Sequence, residues 1–283
     1  MYFSERANIM KAVYSGVPGS YAEEAAIRYY KGSAELVTAS SFDDAFEAVK
    51  DGRADQAVIP IENSSTGSIS AVYDLITRYG FFIIGEQSIE VNQCLMAKPG
   101  TALSDITQVF SHEQGISQSR DFLAEHPDWK TTAVYNTAAA AKMVSESDDA
   151  GYAAIASSRA AELYGLDILV SKTNFKDINR TRFVILAKKP RHSPENNKVS
   201  LMFTLPHVSG SLYEILGIFA REKLNLLKIE SRPMASRNWE YLFFLDFSAD
   251  TIDARLERII IEVADNTQGM RILGYYKKME EEE

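Results

Sequence analysis

Between residues 188 and 197 the chain reads Lys-Lys-Pro-Arg-His-Ser-Pro-Glu-Asn-Asn, and on either side of this apolar-poor stretch the hydrophobic pattern follows different rules. Upstream, short apolar runs alternate with amphipathic ones. Ala12-Val13-Tyr14 reads as a strand, followed by a Ser20-led helix through Tyr30, a strand at Leu36-Val37 and a helix over Phe42–Lys50. Residues 56–60, 81–84, 93–97, 108–110, 168–171 and 183–187 read as further strands. Helices are expected over 71–79, 113–125 and 137–146, with a strand-helix pair over 152–163. This alternation predicts an α/β fold with a largely parallel sheet, in two lobes, with ligands held at strand ends or between the lobes. Downstream, 199–205 alternates as a strand, and Leu212, Ile215, Leu216 and Phe219 share one helical face. Residues 226–230 and 241–247 read as strands. Ile252, Leu256, Ile259, Ile260 and Val263 share a second helical face, and 270–276 is a last strand. The order βαββαβ predicts a ferredoxin-like sandwich.

Composition narrows the function classes. With 283 residues and 46% hydrophobic content the chain can build one large domain or two ordinary ones. A net charge of -9, part of it in the Glu280 to Glu283 tail, and the lack of a Lys/Arg cluster speak against nucleic acid as a partner. No window approaches the roughly 20 apolar residues of a membrane span. The single cysteine, Cys94, lies in the apolar run Cys94-Leu95-Met96-Ala97 and reads as a buried structural thiol in a reducing compartment. The first nine residues contain no apolar signal core, so a cytoplasmic location is expected.

Four segments are more polar than a bare fold requires. Gly16-Val17-Pro18-Gly19-Ser20-Tyr21 turns into a helix N-terminus, where free N–H groups can hold a carboxylate, with Ser20 as N-cap and Glu23 completing a capping box. Residues 59–67, including Asn63 and Ser64, gather an amide, hydroxyls and a glycine into a loop after a strand. Ser111-His112-Glu113-Gln114 also follows a strand. Ser111 and Gln114 read there as a capping box, leaving Gln118 one turn on for another purpose, and His112 without a visible partner. The segment 173–183 offers the Thr181 hydroxyl, and in Arg182 a planar fork for a carboxylate. His112, His126, His192 and His207 are scattered, so no metal-ligand spacing appears, and there is no Walker loop or GxGxxG turn. The residues alone therefore describe a two-lobed binder of a small anion joined to a small α+β domain.

Taken together, these segments resemble the prephenate dehydratase family and its relatives the arogenate dehydratases, from about Lys11 to Tyr276. The resemblance is also carried by Thr137-Ala138-Ala139-Ala140, Ala153-Ala154-Ile155-Ala156, Tyr164-Gly165-Leu166 and Asn179-Arg180-Thr181-Arg182-Phe183, and downstream by Gly210-Ser211-Leu212 and Glu230-Ser231-Arg232-Pro233. It implies a two-lobed, periplasmic-binding-protein-like catalytic domain over 10–188, with lobe 1 at about 10–86 and 166–188 and lobe 2 at about 87–165. An ACT-type regulatory domain would follow over 198–277. The implied activity is the conversion of prephenate to phenylpyruvate by a carbon–oxygen lyase, with arogenate dehydratase or a non-catalytic amino-acid sensor as alternatives. Thr181, Asn63, Ser111 and Gln118 would be catalytic, and Ser20, Tyr21, Ser64, Arg182 and Phe183 would hold the substrate; Glu62 is an alternative acid if buried. No metal or organic cofactor is expected, because aromatisation of the ring drives the reaction. Phenylalanine would bind at Gly210, Ser211, Leu212, Asn225, Leu226, Glu230, Ser231, Arg232 and Pro233, partly across a homodimer or homotetramer interface. No chorismate mutase segment is expected, which implies a monofunctional enzyme.

Overall fold

The computed structural model describes residues 9–174, 179–233, 241–249, 251 and 253–279. Ile252, residues 175–178 of the 173–183 segment, the first eight residues and the Glu280 to Glu283 tail lie outside the described residues. The chain divides into one unit of Met1–Tyr79 with Gln87–Val184 and another of Gly80–Glu86 with Ile185–Glu283. Residues 80–86 and 185–188 fall in the second of these units.

In the first unit, β1 (Lys11–Ser15), α1 (Tyr21–Tyr30), β2 (Glu35–Ala39), α2 (Phe42–Lys50), β3 (Gln56–Asn63), β4 (Gly67–Ser68), α3 (Ser70–Tyr79) and β5 (Phe82–Glu90) begin one lobe. β6 (Cys94–Ala97), β7 (Gln108–Ser111), α4 (Glu113–Gln118), α5 (Arg120–Ala124), β8 (Lys130–Ala133), α6 (Thr137–Glu146), β9 (Tyr152–Ala156), α7 (Ser158–Tyr164) and β10 (Asp167–Val170) form the other, and β11 (Arg180–Ala187) returns to the first. The first sheet has the order β2-β1-β3-β11-β5, with β4 on β3, and β1 runs parallel to both β2 and β3. Tyr14, Phe46, Ile59, Ile61 and Ile76 are fully buried around it. Ser20 caps α1 by accepting from the Glu23 N–H, while the Glu23 carboxylate accepts from the Gly19 N–H at 2.8 Å, one residue earlier than in a standard capping box.

The second sheet, β10-β6-β9-β7-β8, is mixed. β7 is parallel to β8 and β9, but β6, by which the chain enters this lobe, is antiparallel to both neighbours, so the largely parallel expectation fails here. Ala138, Ala140 and Ala141, fully buried, let α6 lie close on β7 and β9. The expected helix over 113–125 breaks at Ser119, whose buried hydroxyl pairs with Thr173 Oγ1 at 2.8 Å. The edge strand β8 was not foreseen: Lys-Thr-Thr-Ala is mostly exposed and carries no apolar signal. β3 continues to Asn63, so the Pro60-Ile61-Glu62-Asn63 part of the expected loop is strand.

The second unit contains β12 (Lys198–Thr204), α8 (Ser211–Arg221), β13 (Leu226–Pro233), β14 (Tyr241–Ser248), α9 (Ala254–Asp265) and β15 (Gln268–Tyr276). Its sheet order, β13-β14-β12-β15, with antiparallel neighbours, is the ferredoxin-like one. Val199, Leu201 and Phe203 alternate toward the core formed with Ile215, Phe219, Ile259 and Val263. Their neighbours Lys198 and Ser200 belong to a buried polar cluster with Glu86, Asp246 and Tyr276. No helix among the described residues is long and apolar enough to cross a membrane.

Candidate active site

A cavity of about 370 Å³ lies between the two lobes of the first unit. It is lined from the end of β1 and start of α1 (Ser15, Gly16, Ser20, Tyr21), the end of β3 (Asn63), the crossing segment (Val91, Gln93), α4 (Gln118), the start of α6 (Asn136, Thr137) and β11 (Thr181, Phe183). Among the described residues, none that lines the cavity is Lys, Arg, Asp or Glu. The electrostatic asset of this wall is instead the N-termini of α1, α2 and α6, represented by Tyr21 and Ala22, Phe42, and Thr137. Helix N-termini favour negative charge and offer unpaired N–H groups, so this wall suits carboxylates.

The chemical centre is where β3 and β11 meet. The Ser64 N–H donates to the Arg180 carbonyl at 2.8 Å, and Ser64 Oγ accepts from the Arg180 N–H at 2.9 Å, locking the two strands. Asn63 Nδ2 then donates to Asn179 Oδ1 at 2.8 Å and to Thr181 Oγ1 at 2.9 Å. Asn63 Oδ1 accepts from the N–H groups of Ser65 and Thr66 at 2.9 and 3.1 Å. Asn63 is thereby saturated: its amide positions Thr181 and has no hydrogen left for a ligand. Thr181, whose oxygen accepts from Asn63, keeps its own hydroxyl hydrogen for an occupant of the cavity.

Gln118 is buried and accepts through Oε1 from Gln93 Nε2 at 3.2 Å, which leaves its NH₂ as the donor end. Gln93 escaped the sequence reading because it precedes the apolar run at Cys94 and belongs to none of the polar segments. Its Oε1 is buried with no hydrogen-bond partner among the described residues, a situation that costs about 1–3 kcal/mol unless a ligand relieves it.

Three expected site residues lie off the cavity wall. Ser111 is fully buried and donates to the Ile155 carbonyl at 2.6 Å. A Cβ at Gly115 would fall 2.4 Å from Ser111 Oγ, so the pair seats α4 on the sheet. The cap of α4 is His112, whose Nδ1 accepts from the Gln114 N–H, and not Ser111 as expected. Arg182 alternates with Thr181 and Phe183 along β11, so its side chain leaves on the opposite face, where Nη2 meets Glu62 Oε2 at 3.0 Å. Glu62, which alternates with Asn63, is likewise not among the described residues that line the cavity. Ser64 is occupied with the backbone of β11, as above. Of the remaining expected residues, Ser20, Tyr21 and Phe183 line the cavity. The Tyr21 hydroxyl donates to the Asn92 carbonyl at 2.7 Å, and burial raises its pKa well above the usual phenol value.

The lobes are tied together beside the cavity. Arg159 Nε on α7 meets Glu23 Oε2 at 3.0 Å, Ser157 Oγ donates to the Gly19 carbonyl at 2.8 Å, and Tyr164 donates to the Pro18 carbonyl at 2.9 Å. Gly19, at φ +85°, sits so close to α7 that a Cβ there would come within 3.2 Å of Ala160 Cα.

In the second unit a cavity of about 350 Å³ is lined by residues 205–209 with Ser211, Leu212, Tyr241 and Phe243. Ser211 Oγ donates to the Pro206 carbonyl at 2.8 Å, and Gly210 caps α8 at φ +89°. Gly210, Asn225, Leu226 and residues 230–233 are not part of that lining; the last five lie on β13, at one end of the sheet order.

The family model described as prephenate dehydratase matches residues 12–191, which span both lobes and the Asn63–Thr181 centre. The chain belongs to the prephenate dehydratase family. As a member of that family it is an enzyme of the dehydratase, or lyase, type. The chain is similar to arogenate dehydratase 5, chloroplastic, of Arabidopsis thaliana, at 38% identity over 94% of this chain and 67% of that one. It is similar also to arogenate dehydratase/prephenate dehydratase 6, chloroplastic, of the same plant, at 37% identity over 94% and 68%. Among solved structures it is similar to prephenate dehydratase in complex with L-Phe from Arthrobacter aurescens, with TM-score 0.84, 29% identity, and coverage of 95% and 90%. The chain thus spans about two thirds of the length of these plant relatives. They also correct the expected cytoplasmic location, because they are chloroplast proteins and point to a plastid. The expectation rested on a lone buried thiol and on the composition of the first nine residues, and neither distinguishes one reducing compartment from another.

Proposed function

We propose that the chain removes carbon dioxide and the C4 hydroxyl from prephenate, giving phenylpyruvate, or from its amino counterpart arogenate, giving phenylalanine. The observation that carries this is the Thr181 hydroxyl, held by Asn63 at the wall of the cavity between the lobes. As the C1–carboxylate bond breaks, its electron pair enters the ring and the C4–O bond opens, releasing water and an aromatic product. Thr181 donates to the departing C4 oxygen. A threonine hydroxyl is too weak an acid to give up its proton outright, so it acts as an aligned donor with the proton supplied through water. The Gln118 NH₂ and the helix N-termini stabilise the carboxylate charges. The names of the plant relatives favour arogenate at least as much as prephenate.

Under this reading the catalytic part spans 10–188, and 198–277 is an ACT-type domain that binds phenylalanine and operates in a homodimer or homotetramer. Support comes from the L-Phe complex of the Arthrobacter relative and from the cavity that includes Ser211 and Leu212. A ligand that binds one state preferentially shifts the active site's equilibrium by at most its differential affinity. The test is to incubate the purified protein with each substrate and identify the product by chromatography, with and without phenylalanine. Consumption of neither substrate would refute the reading.

A further inference from the structure

We propose that Gln93 makes this cavity select a substrate whose side chain carries an ammonium group over one that carries a ketone at the same place. The inference rests on the dehydratase reading above. Gln93 lines the cavity and is 3% exposed. Its backbone is pinned at the crossing between lobes: its N–H donates to Asn174 Oδ1 at 3.0 Å, and its carbonyl accepts from the Thr173 N–H at 2.8 Å and from the Thr173 hydroxyl at 3.1 Å. Nε2 is given to Gln118, so the end of the Gln93 amide that remains is the acceptor, Oε1. Among the described residues, Oε1 is buried without a hydrogen-bond partner. A buried acceptor beside a cavity calls for a donor from the occupant.

The two candidate substrates share a ring, two carboxylates and a C4 hydroxyl, and differ at one side-chain group. The C4 hydroxyl, present on both, accepts from Thr181 at one end of the ring and makes no difference between them. The differing group hangs from C1, across the ring. Placed against Oε1, the ketone has only lone pairs, whereas the ammonium has three donors and makes a charge-assisted bond. Among the described residues, no carboxylate lines the cavity to take over that task. The same interaction would leave Oε1 unpaired with the ketone, so discrimination comes from both sides of the comparison. Gln93 acts in specificity and touches no reacting bond.

The test is steady-state kinetics of the full chain with arogenate and with prephenate, for wild type, Gln93→Met and Gln93→Glu, each checked for folding by thermal melting. Wild type is expected to show the higher kcat/KM with arogenate. Gln93→Met, which also releases Gln118, should lower the arogenate value about 10- to 100-fold more than the prephenate value. Gln93→Glu, which keeps an acceptor and adds charge, should retain or raise the arogenate-to-prephenate ratio. Equal loss on both substrates in Gln93→Met, a wild type without preference for the amine, or a fall of the ratio in Gln93→Glu overturns the proposal. If Gln93→Met does not fold, the wild-type preference and the Gln93→Glu ratio decide. Failure of wild type to consume either substrate would instead refute the dehydratase reading itself.

Discussion

Asn63 and Thr181 are 118 residues apart in the chain, and Asn63 Nδ2 lies 2.9 Å from Thr181 Oγ1. Because Asn63 spends both amide hydrogens inside the protein, the hydroxyl hydrogen of Thr181 is the donor this pair presents to the cavity. Thr181→Val keeps the shape of the side chain and removes that donor. It should lower kcat by about 10²–10³, with Thr181→Ser retaining most of the rate. Product formation at saturating substrate measures this, and an unimpaired valine variant would remove Thr181 from the chemistry.

Arg182 is the neighbour of Thr181 in sequence and lies on the other face of the strand. Arg182→Ala should therefore change KM and kcat by no more than a few-fold. Its pairing with Glu62, both partly exposed, should contribute about 1 kcal/mol or less to stability. A KM raised a hundredfold would mean that Arg182 reaches the substrate carboxylates after all.

The contrast between these neighbours shows what the sequence carries and what it leaves hidden. The layered fold was legible in its hydrophobic periods, and so was the βαββαβ unit, because each element exposes one face and buries another. Thr181, Asn63 and Gln118 stood out as polar residues in motifs. Their facing did not: the same motif places Thr181 toward the cavity and Arg182 away from it, and that depends on strand register, which in turn depends on where β3 stops. Ser111 looked like a cap because it precedes a helix, yet the strand runs one residue further and hands the cap to His112. Gln93 was invisible for a different reason. Its significance lies in a missing partner, and that is a property of three-dimensional packing.

Gly19 joins the lobes at a left-handed backbone position against α7. Gly19→Ala should destabilise the fold by about 1–2 kcal/mol from the backbone alone, with further loss from the clash at Ala160. It should also raise KM, because the turn that presents the start of α1 to the cavity must shift. Denaturant melting and kinetics on the same sample check this, and a fully stable, fully active variant would contradict it.

Within the C-terminal unit, Lys198 is nearly inaccessible, with Nζ 2.7 Å from Glu86 Oε2 and 3.6 Å from Asp246 Oδ2. Lys198→Met would remove one cation from beside two buried carboxylates and should cost about 3–5 kcal/mol. Replacing Glu86 by Gln in the same chain should recover part of that loss, since one buried charge is then gone. A double variant no more stable than the single one would show that the lysine acts through packing and not through charge.

Tyr14 is one of the buried phenols that tie the stability of the first unit to alkaline pH. Burial, and then the Glu23 carboxylate beside its hydroxyl, raise its pKa well above the usual phenol value near 10. Tyr164, next to the same carboxylate, is raised for the same reasons in the same order. The folded state therefore favours the neutral phenols, whereas the unfolded chain loses those protons near pH 10. Their contribution is fully present below that pH and declines as pH climbs above it toward the folded-state values. The thermal midpoint should be insensitive to these groups between about pH 7 and 9 and fall beyond about pH 10. Tyr14→Phe has no proton to lose at this position, so its midpoint should fall less steeply over the same range. Parallel slopes for wild type and variant would assign the alkaline loss to other groups.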